Sequence, residues 1–158
     1  MGIASLICDM PQSHSTATAA GLKLSIQATN AKDRRMKFLS GLEPVAYAVF
    51  RVVVGFLFLC HGAQKLFGAF GGHAQLHNPM MLAAGIIEFG GGILIILGLL
   101  TRFVAFIASG EMAVAYFMMH QPRGHLPIQN GGAEAVLFCF AFLYIACHGA
   151  GKFAAEKD

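Results

Sequence analysis

The long apolar runs of this chain contain Arg51, Glu88, Glu111 and Glu134, and Lys65 stands where the first of them ends. In hydrocarbon such groups are costly, so they face a bundle interior or a polar cavity. Two uses follow from their types. Opposite charges at matching depth can pair and fix the register of neighbouring helices. The same charges can also line a polar pocket for a proton-coupled or quinone-type ligand. Both readings stand at this level, and these five residues are the candidate intramembrane site.

Histidine offers less. Of the seven, His61, His73, His77, His120 and His125 cluster around two polar breaks. His73 and His77 are four apart and share a face if their segment is helical. A structural zinc site needs four converging ligands and a catalytic one three. The sequence offers a pair, so no metal is assigned and His73 and His77 are the nearest approach to a site. The hexapeptide CHGAQK at 60–65 returns as CHGAGK at 147–152. The second copy resembles a phosphate-binding loop only superficially, because Phe153 stands where that loop needs Ser or Thr and a helix end surrounds it. Each copy is expected to close a helix, with Gly as the cap and Lys at the carbonyl end of the dipole.

These residues need elements to hold them, and composition says which. The chain has 158 residues, 56% hydrophobic and 12% charged, with a mean hydropathy of +0.64. A soluble domain carries about 25% charged residues, so there is too little polar surface for a water-facing shell. The four cysteines show no regular spacing, which leaves a disulfide framework or zinc ribbon without support. A net charge of +3 gives no basic stripe for nucleic acid.

A membrane span needs about 20 mostly apolar residues. Four segments qualify: roughly 44–61, continuing to 66; 79–100; 102–119; and 132–150. Thr101-Arg102 alone separates the second and third, which predicts a tight antiparallel hairpin. The stretches 71–79 and 121–132, rich in Gly, Pro and Asn, predict loops. The first loop region, from Lys65 to Leu76, could lie along the interface as a short amphipathic piece. Residues 1–36 read as a disordered, low-complexity tail, and Met36 is a second candidate start. Residues 37–153 form the membrane domain and 154–158 a short cytoplasmic tail. With the N-terminus inside, Lys32, Arg34, Arg35, Lys37, Arg102, Lys152 and Lys157 are all cytoplasmic and only Lys65 and Arg123 lie outside. That bias predicts N-in, C-in. The fold expected is therefore all-α, a four-helix transmembrane bundle.

Depth can be counted from the cytoplasmic end. Arg51 comes about 9 Å in, Glu111 about 14 Å, Glu88 about 20 Å and Glu134 about 25 Å, with Lys65 at the outer surface. Depth alone pairs Arg51 with Glu111, and Lys65 with Glu88 or Glu134, while helix tilt and the reach of arginine leave Arg51 with Glu88 open. Span two carries Gly85, Gly90, Gly91, Gly92 and Gly98, and span three Ala105, Ala108, Ser109 and Gly110. Runs of this kind let helix backbones approach.

From Arg51 onward the chain resembles the DoxX family of small four-span membrane proteins. The resemblance rests on Arg51 with Gly55, on His61-Gly62-Ala63-Gln64-Lys65-Leu66-Phe67-Gly68 and on Glu88-Phe89-Gly90-Gly91-Gly92. It continues through Leu97-Gly98-Leu99-Leu100-Thr101-Arg102, Gly131-Gly132-Ala133-Glu134 and Gly149-Ala150-Gly151-Lys152. It implies a multi-pass protein of the bacterial inner membrane, in contact with lipid. The name member is similar to a small subunit of an archaeal thiosulfate:quinone oxidoreductase. Another relative sits in a mycobacterial membrane complex with a sulfurtransferase and a superoxide dismutase. The resemblance thus implies a membrane subunit or anchor for redox-enzyme subunits, with quinone as the ligand to test and no catalysis assigned to the chain itself. The other readings are a non-catalytic assembly scaffold, and a small-solute or proton pathway built as a homo-oligomer.

Overall fold

A computed structural model of the chain describes residues 40–156, together with Gly21, Lys23, Leu24, Gln27 and Lys37. The chain divides into two units, Met1–Glu43 and Pro44–Asp158. In the first, the Ser40 hydroxyl donates to the Lys37 carbonyl at 2.9 Å. The tail expected over 1–36 falls outside the described residues, except for Gly21, Lys23, Leu24 and Gln27, which are helical.

The second unit is all-helical among the described residues. Helix α1 is Glu43–Phe67, with Glu43 in its first turn and Lys65 in its last, both matched to the helix dipole. A 3-10 turn, Ala69–Gly71, follows. Helix α2 is Pro79–Leu97. The Asn78 side chain accepts from the amides of Met80 at 3.0 Å and Met81 at 3.3 Å, and Pro79 fills the first helical position. Helix α3 is Thr101–Ala115. A π-helical turn, Tyr116–His120, and a 3-10 turn, Gln121–Arg123, prolong it. A short α4, Pro127–Asn130, precedes α5, Ala133–His148.

Three of these paths, Glu43–Phe67, Pro79–Leu97 and Thr101–Arg123, are long and apolar enough to cross a membrane. Helix α5 is apolar but has 16 residues, about 24 Å of rise.

The hairpin between the second and third spans turns earlier than expected. Gly98, at φ 69, takes the left-handed conformation that ends α2. Its amide and that of Leu99 bond back to Ile95 and Leu94, so Thr101 already belongs to α3. The 121–132 stretch is also more ordered than a plain loop. Buried Asn130 donates to the Gly124 carbonyl at 2.8 Å and accepts from the Gly132 amide at 2.8 Å.

Aromatic packing ties α1 to α5. Phe58 and Phe142 have no exposed surface, and their ring centroids lie 4.5 Å apart. Helix α3 packs along α5 through small residues: Ala105 and Ala108 are fully buried, and the Ser109 hydroxyl donates to the Cys139 carbonyl at 2.8 Å. Between α1 and α2 glycines set the distance. A Cβ on Gly62 would stand 2.3 Å from the Phe89 amide nitrogen, and one on Gly92 2.7 Å from the Gly55 carbonyl oxygen. The CHGAQK copy is therefore no stop signal. Gly62 lies inside α1 where two backbones meet, and the cap is Gly68, at φ 65. The CHGAGK copy does close a helix, with Gly149 as the cap of α5.

Candidate functional site

The charged residues separate into two groups at opposite ends of the bundle. At the end where α1 begins, two guanidinium groups satisfy backbone carbonyls. Arg51 is 1% exposed and donates to Ile95, to Ile96 at 2.9 Å and to Phe153 at 2.8 Å. Arg102 donates to the carbonyls of Ala146 at 3.3 Å, Cys147 at 2.7 Å and His148 at 3.2 Å. The last turns of α2 and α5 each leave carbonyls without a helical partner, and an arginine fork matches them in geometry and in dipole sign. The chain end completes this cap. Ala155 and Glu156 donate their amides to Leu97 and Gly98, and the Thr101 amide donates to the Glu156 carboxylate at 3.3 Å. Arg51 is thus apart from the acidic residues, and the Arg51–Glu111 pair expected from depth is not formed. Its guanidinium is taken up by backbone carbonyls at its own level.

At the other end the remaining four candidates meet. A cleft of about 580 Å³ is lined by Lys65, Glu88, Glu111 and Glu134, with residues from α1, α2, α3 and α5 around them. The Lys65 ammonium donates to both carboxylate oxygens of Glu88, which is 1% exposed. The two residues sit on the glycine-spaced pair of helices, so the close α1–α2 approach positions the ion pair. The Glu134 Oε1 lies 3.0 Å from His61 Nε2 at a more open position. Glu111 differs from both. One of its carboxylate oxygens is buried and has no hydrogen-bond partner among the described residues. A buried polar group without a partner is costly in an apolar surround.

The rest of the lining was not legible as a site in the sequence. Met80, Met81, Met112, Met118 and Met119 all face the cleft, as do His61, His120 and Arg123. The π-helical turn carries Met118, Met119 and His120, and such turns re-aim side chains by changing the helix register. The paired methionines at 80–81 and 118–119 were the available signal. His73 and His77 lie in a non-helical segment and share no helix face. Among the described residues no group of three or more His, Cys, Asp or Glu side chains is placed to hold a metal ion.

Chemically, the cleft joins a polar floor to a soft apolar wall. Methionine fills irregular space and makes favourable contacts with aromatic rings. The cleft's volume is in the range of small-molecule sites, which combine apolar lining with a few convergent polar groups.

Comparison with known proteins bears on this architecture. The DoxX family profile matches residues 46–121. An uncharacterized protein of Haemophilus influenzae is 44% identical over 129 residues, covering 77% of this chain and 96% of that protein. An Escherichia coli protein named inner membrane protein YqjF is 27% identical over 129 residues, covering 73% of this chain and 93% of that protein. No solved structure matches the chain.

Proposed function

The chain belongs to the DoxX family, and from that premise we propose a four-crossing inner-membrane protein whose cleft holds the polar head of a quinone-type lipophile for a partner oxidoreductase. Its place as a multi-pass protein of the inner membrane agrees with the three long apolar paths and with the name of the Escherichia coli relative. The observation that carries the ligand reading is the cleft itself, where the Lys65–Glu88 pair and a Glu111 oxygen without a partner among the described residues share an apolar, methionine-rich lining. A ring with oxygen substituents fits that combination: the oxygens meet the charged floor and the ring meets thioethers and Phe138. The chain's part is binding and positioning, and electron transfer belongs to the partner. The partner's redox character rests on the family resemblance.

The test is photolabelling in membranes with an azido-quinone. Labelled peptides are expected from α2 around Met80 and Met81 and from the turn after α3 around Met118, with labelling suppressed by excess unlabelled quinone. Labelling spread over the lipid-facing surface, or insensitive to competitor, overturns the reading. The role of the ion pair is tested separately, because Glu88→Gln should weaken suppression by the competitor while leaving insertion intact.

A further inference from the structure

We infer that the cleft selects a lipophile whose ring carries a hydroxyl group, a phenol in chemical class, and that Glu111 is the residue that takes the hydroxyl. This rests on the reading of the cleft as a lipophile site and narrows its head group from any ring with oxygen substituents to one that carries a hydroxyl.

Most of the hydrogen-bonding capacity of the cleft's carboxylates is already taken. Both Glu88 oxygens accept from Lys65, and Glu134 meets His61. Of the carboxylates lining the cleft, Glu111 alone keeps a buried oxygen without a partner among the described residues. It lines the same cleft as Glu88 and Lys65. A ligand group that settles this position must suit a carboxyl group that shares its cleft with an ammonium. A carbonyl can only accept, so it pairs with Glu111 only when the acid holds its proton. An organic ammonium can only donate, so it suits only the ionised carboxylate and meets the Lys65 charge. A hydroxyl donates one proton and accepts through its lone pairs. It pairs with Glu111 in either protonation state and can accept from the Lys65 ammonium, which uses two of its three donors on Glu88.

The wall decides the rest of the molecule. Met80, Ile107, Val114 and Met118 line the cleft and are also 40–54% exposed. The way in is therefore from the apolar side of the bundle, which suits a ligand dissolved in the bilayer. Thioethers and the Phe138 ring favour an aromatic ring over a plain alkyl chain next to the head group.

A matched pair tests this without redox complications. Binding of 4-dodecylphenol and of its methyl ether is measured to the full chain in lipid nanodiscs. These ligands differ only in the O–H group. The phenol is expected to bind about tenfold tighter in the wild type. In Glu111→Leu the ratio should fall to about one, with the ether's own affinity retained, which shows that the variant still folds and keeps its cleft. Equal affinities in the wild type overturn the hydroxyl assignment while leaving the lipophile site standing. An unchanged ratio in Glu111→Leu overturns the role of Glu111. Dodecanol binding as tightly as the phenol overturns the ring. Failure of both ring ligands to bind removes the lipophile site and this inference with it.

Discussion

Lys65 and Glu88 make the buried ion pair of the described residues, and their worth depends on what replaces them. Removing one partner strands the other charge in an apolar surround, at a cost on the order of 3 kcal/mol. Lys65→Met is therefore expected to lower the thermal midpoint in detergent by several degrees. The double variant Lys65→Met/Glu88→Leu should recover most of that loss, since a packed apolar pair avoids desolvation altogether. Recovery would assign the pair to ligand chemistry more than to stability. A double variant as weak as the single one would assign it to helix register. The sequence already offered this pair, because depth along a helix can be counted at 1.5 Å per residue. Depth is also why Arg51–Glu111 was expected. Rotation about the helix axis is what sequence leaves undefined when apolar residues surround a helix on all sides. Arg51 turns toward the end of α2, Glu111 turns into the cleft, and no count of residues separates those outcomes.

Among the elements, the α1–α2 pair is governed by glycine, and not every glycine in the run is equal. Gly92 meets the Gly55 carbonyl and the Leu59 backbone at 2.7 Å from a would-be Cβ, whereas Gly90 has nothing within 4 Å. Gly92→Ala must push the helices apart or distort them, a loss of about 1–3 kcal/mol. Gly90→Ala meets no neighbour and should be neutral, or stabilising by about 0.5–1 kcal/mol through helix propensity. Thermal midpoints of the two variants, measured side by side, check the contrast, and equal losses would refute the packing role of Gly92. The run of three glycines was readable as a close-packing signal, but which one faces α1 was not. The same holds for the repeated CHGA sequence. One copy packs α1 inside the bundle and the other ends α5, because a glycine's role follows from what stands opposite it. Arg102 supports a further expectation at this scale. Arg102→Gln removes charge from three carbonyl contacts at the end of α5, so amide exchange there should accelerate, most of all in the last turn. Unchanged protection would show that the α3–α5 packing alone holds that end.

For the whole molecule, the question is how many times the chain crosses. Four apolar runs were legible in the sequence, and an all-helical domain followed from composition. The fourth run folds as 16 residues of helix, about 24 Å against a hydrocarbon core of about 30 Å. Length alone therefore leaves α5 short, and the packing supplies the argument for its crossing. Helix α5 lies along α3 from the Ser109–Cys139 contact to the Arg102 cap, and Phe142 sits against Phe58 of α1. An element packed along two full spans shares their depth, and modest bilayer thinning can absorb a mismatch of a few ångströms. If α5 crosses, both chain ends lie on one side, and the basic bias makes that side the cytoplasm. A fluorescent-protein fusion at either end should then glow, and alkaline phosphatase fused after Asp158 should be inactive. Phosphatase fused after Gly131, on the loop between α3 and α5, should be active. An active phosphatase at the C-terminus together with a fluorescent N-terminus would mean an odd number of crossings. That outcome would leave α5 on the far surface and remove the fourth span, whereas matched cytoplasmic ends with an active loop fusion require the chain to return through α5.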